Sequence, residues 1–311
     1  MAARSKNSAD KKSEAAMRFE KRRFVRRVCL CVLAVVLALS CTPPGSRFWQ
    51  QMFRLAKFGG NIDAPLSIHV LDVGKADAIL IECDGHTALL DAGTEVHGET
   101  VVDYMIRQGM DSLDYAIVSH PDKDHIGGMV QVLSEVTVGA FVRASYFEEK
   151  YGTVLPLLQD KSIEEQTVLP GDTIPLGSAT LRVLAPLKEY EDTNNGSLVI
   201  RLEYQGFAAL FCGDIEKEAE RDIVDAYGDL LSADVLKVPH HGSNSSCTKR
   251  FLEAVSPQYA VVSVGRDNND LPSEKILQRL DDYCRDVYQT DTDGTVVFAF
   301  DGAELQIITE R

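Results

Sequence analysis

The chain contains no CxxC pair, no apolar run long enough to span a membrane in a relaxed helix, and only half as many basic as acidic residues beyond residue 27. The missing CxxC pair excludes a thiolate zinc ribbon and a thioredoxin-type redox motif. Cys29, Cys31 and Cys41 lie in or at the end of an N-terminal apolar stretch, and Cys83, Cys212, Cys247 and Cys284 are far apart. Such spacing reads as small buried hydrophobes rather than ligands or a disulfide framework. With a single apolar stretch, the chain cannot itself be a channel, which needs many spanning segments. Residues 1–27 hold ten of the 32 Lys/Arg and three of the 47 Asp/Glu, so the remainder carries 22 basic against 44 acidic residues. A body that acidic has no global attraction for nucleic acid, and a polyanionic substrate would have to be captured locally. No internal repeat of fixed period is present.

What is present is an ordinary globular composition, 45% apolar and 25% charged over 311 residues, enough for one large domain or two small ones. At the N-terminus, residues 1–27 read as a basic, disordered region. An uncharged apolar run from Val28 to Leu39 follows, closed by Ser40-Cys41. A basic head, a short apolar core and a small residue at the boundary make an export signal. Positive charge stays on the cytoplasmic side, so the body is expected outside. Segment 28–41 reads equally as an uncleaved anchor or as a lipoprotein signal whose Cys41 is lipidated, and either ties the chain to the cell membrane. Met1 and Met17 are both candidate starts. Residues 42–64 read as a linker, and the body runs over 65–311.

Within the body, strands are predicted at 66–73, 78–83, 86–91, 115–119, 138–143, 180–185, 197–204, 207–212, 234–238, 259–263, 286–289, 295–300 and 303–309. Helices are predicted at 98–108, from about Gly127, and at 216–227, 247–254 and 273–283. Two sheets packed face to face with helices outside satisfy this order.

Chemistry concentrates in three places, each just past an apolar strand. His120-Pro121-Asp122-Lys123-Asp124-His125 puts four imidazole or carboxylate groups within six residues, and Ile126-Gly127-Gly128 follows. Gly213-Asp214 adds a carboxylate, and Pro239-His240-His241-Gly242-Ser243 adds two imidazoles. Strand ends and helix starts are where side chains converge on a crevice. Such a set of N and O donors suits Zn²⁺ or Mn²⁺, in one or two ions. Lys75 and Lys123 are candidates to supply positive charge near an anionic substrate.

The stretch His120–His125 resembles the His-x-His-x-Asp-His signature of the metallo-β-lactamase superfamily. From Leu66 to Ile308 the chain is similar to the hydrolase domain of the ComEC competence-protein family and its stand-alone relatives. The pieces that carry this are His69–Gly74, Leu90-Asp91-Ala92-Gly93, Ser119–Gly128, Asn194–Val199, Cys212-Gly213-Asp214, Lys237–Ser243 and Thr290–Gly294. The resemblance implies an α/β fold, a four-layer αβ/βα sandwich of the metallo-β-lactamase type. It implies a first metal site of His120 and Asp122 with Asp214 bridging, and a second of Asp124, His125, Asp214 and one of His240 or His241. Asp91 would support the ligand loop, and Asn194, Asn195 and Ser243 would stand beside the ligands. The implied reaction is hydrolysis of a phosphoester, DNA by analogy, with a metal-bound hydroxide as nucleophile and Asp124, Asp214 and His241 as catalytic residues. Asp122 stands where the signature has its second His, and no His lies between His125 and His240. The first site therefore has one imidazole with oxygen donors, which suits Mn²⁺ better than Zn²⁺. The rival expectation is a one-metal or non-catalytic accessory protein on the same fold.

Overall fold

The computed structural model describes residues 64–266 and 270–311. The expectations for 1–27, for the export segment 28–41 and for the linker up to residue 63 lie outside the described residues. Among those described, no helix is long and apolar enough to cross a membrane.

Strands β1 (Leu66–Val70), β2 (Ala78–Cys83), β3 (His86–Ala92), β4 (Ser112–Val118), β5 (Thr137–Ala144) and β6 (Glu164–Val168) form one sheet with β14 (Val296–Phe300) and β15 (Leu305–Thr309). Its order is β15-β14-β1-β2-β3-β4-β5-β6. The second sheet contains β7 (Thr173–Leu176), β8 (Ala179–Ala185), β9 (Val199–Tyr204), β10 (Phe207–Phe211), β11 (Val235–Lys237), β12 (Tyr259–Val262) and β13 (Asp286–Gln289), in the order β13-β12-β11-β10-β9-β8-β7.

Side-chain alternation assigns each strand two faces. Ala88 and Leu90 of β3 join Ile68, Leu181, Leu202 and Phe298 in a core between the sheets. Leu89 faces outward, as does Ala92 beyond the left-handed Asp91, against helices α1 (Gly98–Gln108), α3 (Met129–Glu135) and α4 (Leu155–Lys161), which contribute Val101, Met129 and Leu158. Beyond the second sheet, Leu210, Leu236 and Ala260 pack on α5 (Lys217–Tyr227), α6 (Lys249–Val255) and α7 (Glu274–Tyr283). Three apolar cores thus separate four layers, the αβ/βα sandwich that the sequence predicts. Cys83, Cys212 and Cys247 are buried in it as free thiols.

The strand predicted at 66–73 and the helix predicted from Gly127 both form differently, for a reason that matters. The stretch 66–73 leaves its ladder after Val70, and Gly74, at φ +69, turns the chain so that Asp77 N–H reaches the Asp124 carbonyl at 3.0 Å. The helix expected from Gly127 splits instead into α2 (Lys123–Ile126) and α3, because the chain packs backbone to backbone there. A Cβ on Gly128 would collide with the Ala92 carbonyl, and one on Gly127 with the backbone of Thr94 and Glu95.

β3, β4 and β5 run parallel, as do β10, β11 and β12. Their C-terminal ends deliver Asp91, His120, Asp214 and His241 to the same rim of the sandwich. Leu198 N–H bonds the Ser119 carbonyl at 2.8 Å and joins the two halves there.

Candidate metal centre

Asp91 anchors the centre. It takes a left-handed φ of +59, and its buried carboxylate accepts from Ser119 N–H at 2.7 Å, Ser119 Oγ–H at 2.6 Å and His125 Nδ1–H at 2.8 Å. Because the Ser119 hydroxyl donates to Asp91, its oxygen accepts from His120 Nδ1–H at 3.1 Å. His241 Nδ1–H donates to the Ser263 carbonyl at 2.8 Å. A carboxylate and a carbonyl only accept, so the network assigns the proton to Nδ1 in each ring and leaves Nε2 facing inward.

Those three Nε2 atoms, together with Asp214 Oδ1, are buried and have no hydrogen-bond partner. Buried polar atoms are normally satisfied, so four orphans in one place call for a ligand. They converge: His120, His125 and Asp214 have ligand atoms within 4.8 Å of one another, as do Asp124, His125 and His241. His125 Nε2 lies 3.3 Å from Asp214 Oδ1, and His241 Nε2 lies 3.7 Å from both Asp124 Oδ2 and Asp214 Oδ2. Imidazole nitrogens and carboxylate oxygens so placed fit one or two divalent ions.

Without an ion, the carboxylates draw positive charge onto the His125 ring. Burial opposes charge on His125, yet Asp214 and Asp91 outweigh it and hold its pKa well above the usual value. His120 is pushed down to about 4 by burial and by His125 beside it. Despite its burial, Asp214 stays well below the ordinary carboxylate range because His125 and His241 face it. Burial would likewise raise Asp124, but His241, His125 and Lys75 hold it ionised. The pocket thus keeps its carboxylates charged against His125, His241 and Lys75, in a buried place that a metal cation also suits.

The structure separates the pair left open by the sequence. His240 and His241 both adopt left-handed backbone, at φ 50 and 51. His241 is fully buried among the ligand atoms. His240 is partly exposed, with Nδ1 3.1 Å from both Glu216 Oε1 and Ser245 Oγ and Nε2 3.9 Å from Asp214 Oδ2. It is a rim residue and joins none of the converging groups among the described residues.

Asp122 also stays outside those groups. Its Oδ2 lies 3.9 Å from His120 Nε2, and its Oδ1 accepts from Thr193 Oγ1–H at 2.8 Å. The expected place for Asn195 is corrected. Its amide oxygen accepts from Glu216 N–H and Ala219 N–H, both at 3.1 Å, and so caps α5 instead of facing the ligands. Asn194 is half-buried in the same turn, where its carbonyl accepts from Ser197 N–H. Ser243 bonds Ser245 Oγ at 3.0 Å, and Ser245 in turn meets His240 Nδ1, so Ser243 braces the loop that holds His240.

Sequence reasoning gave no role to four residues found here. Ser119 links Asp91 to His120, Thr193 holds Asp122, and Ser197 Oγ accepts from Asp214 N–H at 3.1 Å. The fourth, Lys237, is buried and pairs with buried Asp77 at 2.8 Å. A lysine inside the otherwise apolar strand β11 was the available signal.

A family model described as the metallo-beta-lactamase superfamily matches residues 71–266. The chain belongs to the metallo-β-lactamase superfamily. Members of this superfamily are mostly metal-dependent hydrolases that bind one or two ions. Among curated proteins, the chain is 29% identical to ComE operon protein 3 of Bacillus subtilis (strain 168) over 255 residues, 75% of this chain and 33% of that protein. It is 28% identical to competence protein ComA of Neisseria gonorrhoeae over 280 residues, 86% of this chain and 38% of that one. It therefore spans about a third of the length of these relatives. Among solved structures it is similar to the metallo-beta-lactamase fold protein YhfI from Bacillus subtilis, with a TM-score of 0.53, 11% identity and coverage of 75% of this chain and 98% of that one. It is also similar to CmlA, a diiron beta-hydroxylase from Streptomyces venezuelae, with a TM-score of 0.53, 12% identity and coverage of 76% and 54%. One superfamily fold carries different metals and reactions, so metal and substrate have to be argued from the site.

Proposed function

We propose that this chain is a metal-dependent hydrolase of phosphodiester bonds, tied to the cell membrane by its N-terminal segment with the hydrolase body outside the cytoplasm. The observation that carries the catalytic reading is the set of four buried, unpartnered and converging ligand atoms on His120, His125, Asp214 and His241. Zn²⁺ and Mn²⁺ both suit this donor set. A bound divalent ion supplies Lewis acidity, which polarises a phosphoryl oxygen and acidifies water. His125, His241, Asp214 and Asp124 would hold it, with His120 and Asp122 completing the open side. Asp124, partly exposed, faces both His241 and a groove of about 1180 Å³, and is placed to orient an attacking water. Asp214 and His241 keep their charged or polar atoms fixed against the ligand loop, so little reorganisation accompanies the reaction. The groove is lined by Pro121, Asp122, Lys123, Val96, Val130 and Lys150, and is large enough for an extended substrate.

The competence relatives support DNA as the substrate, while the acidic body supports capture of a short segment in the groove rather than along the whole surface. The test is metal analysis of the purified protein, with activity on bis-p-nitrophenyl phosphate, single- and double-stranded DNA and phosphocholine esters. Hydrolysis of the first three in step with bound metal is expected. The position of Asp122 favours a second reading, a one-ion accessory protein, and a single tight ion without hydrolysis would establish it. For the export reading, a periplasm-active reporter fused after residue 64 is expected to be active and a cytoplasm-only reporter inactive. Fatty-acid labelling lost in Cys41→Ser would mark the lipoprotein.

A further inference from the structure

Lys75 sits in the turn Gly74-Lys75-Ala76-Asp77, closed by Ala76 N–H on the Gly74 carbonyl at 2.9 Å. That turn leans on the ligand loop through Asp77 N–H and the Asp124 carbonyl. It carries the Lys75 ammonium to Asp124 Oδ2, 2.8 Å away. The same oxygen faces His241 Nε2 at 3.7 Å. One carboxylate oxygen thus meets both a ligand imidazole and a lysine. Lys75 is two-fifths exposed, so its ammonium reaches solvent as well as Asp124. Lys123, next to Asp124 in sequence, lines the groove instead.

An ammonium and a divalent ion cannot share that oxygen without strong repulsion between like charges. An ammonium displaced from Asp124 stays tethered beside the centre as a compact, strongly hydrated cation with three donors. We propose that Lys75 competes with a metal ion for Asp124 Oδ2 and, once released by that ion, binds a non-bridging phosphoryl oxygen of the substrate. The second half of this inference rests on the phosphodiester reading above; the first half does not. Metal loading and substrate recognition are then coupled through one side chain, because the anion-binding group becomes available only where the ion has taken its place.

The test compares the full-length wild type with Lys75→Met and Lys75→Arg. Zn²⁺ affinity is read without substrate, by competition with a chromophoric chelator. Loss of the competing charge in Lys75→Met is expected to tighten the Zn²⁺ site that uses Asp124 about ten-fold, the scale of one charge-assisted hydrogen bond. The same variant is expected to bind inorganic phosphate more weakly, read as its inhibition constant, and to raise KM for bis-p-nitrophenyl phosphate more than it lowers kcat. Lys75→Arg is expected to retain phosphate inhibition. A residue that only braces the turn would move neither quantity in these opposite directions. Unchanged Zn²⁺ affinity, or unchanged phosphate inhibition, in Lys75→Met overturns the proposal. If wild type hydrolyses no phosphoester while Lys75→Met still tightens Zn²⁺, the phosphodiester reading fails and the competition stands.

Discussion

The two sides of the centre are built differently. On the closed side, His125 and His241 are fully buried, and each has its Nδ1 fixed by a buried acceptor, Asp91 Oδ2 or the Ser263 carbonyl. On the open side, His120 is buried, but its partner Asp122 is 39% exposed and bonded to a threonine hydroxyl. Ligands held by buried hydrogen bonds cannot reorient when a metal leaves, whereas an exposed carboxylate can turn to water. The difference teaches that the two positions should differ in affinity, a consequence of how firmly each ligand is backed rather than of ligand number alone. An exposed oxygen donor also makes the open side the harder and more permissive one.

The comparison breaks most sharply at the closed side. His125→Ala and Asp214→Ala are each expected to lower kcat/KM on the order of a thousand-fold, ~4 kcal/mol of transition-state stabilisation, and to lose bound metal. Circular dichroism should show the fold retained; wild-type turnover with wild-type metal content in either variant would remove these residues from the ligand set. Behind the same side, Asp77→Asn is expected to leave Lys237 as an unpaired buried charge and to cost about 3–5 kcal/mol in urea unfolding. The double variant Asp77→Asn/Lys237→Met should recover much of that loss, and failure to recover it would mean that the pair is not the source.

At the open side the expected effects are smaller and concern metal more than fold. Asp122→Ala should weaken the ion at the open side about ten-fold, and Asp122→His should raise the Zn:protein ratio towards two by restoring an N-donor. Equal metal content in wild type, Ala and His at this position would show that the carboxylate does not ligate. The smallest effect sharpens the comparison by lying outside it. Asn195→Ala removes the cap of α5, so it should cost about 1 kcal/mol of stability and leave metal stoichiometry unchanged. A change in metal content there would return Asn195 to the centre.

Much of this architecture is legible without coordinates. Apolar strands followed at once by His, Asp or Gly show where side chains converge, and β10 with Asp214 and β11 with His240-His241 follow that pattern. β6 and β7 are not legible, and both are sheet edges. The residues Glu164, Glu165, Gln166 and Thr167 of β6 carry no apolar alternation, because an edge strand has little to bury. Pro175 in β7 argues against a strand except at an edge, where its missing N–H is not needed. The polar supports Ser119 and Thr193 are ordinary hydroxyls in sequence, and their roles follow from partners 28 and 71 residues away.

The sequence by itself determined the order of most strands and helices, though not β6, β7 or α4, together with the ligand-bearing stretch His120–His125 and the family, since periodicity and closely spaced donors are local properties. It also determined that the body is acidic, and so that anion capture has to be local. Only the tertiary structure decided that His241 rather than His240 joins the converging buried groups, that Asn195 caps a helix, and that Lys75 lies on Asp124. The first depends on left-handed backbone at 240 and 241, the last on the turn at Gly74, and the Asn195 cap on backbone N–H groups more than twenty residues away. A chain's neighbours in sequence do not specify such aim; the packing of its two sheets does.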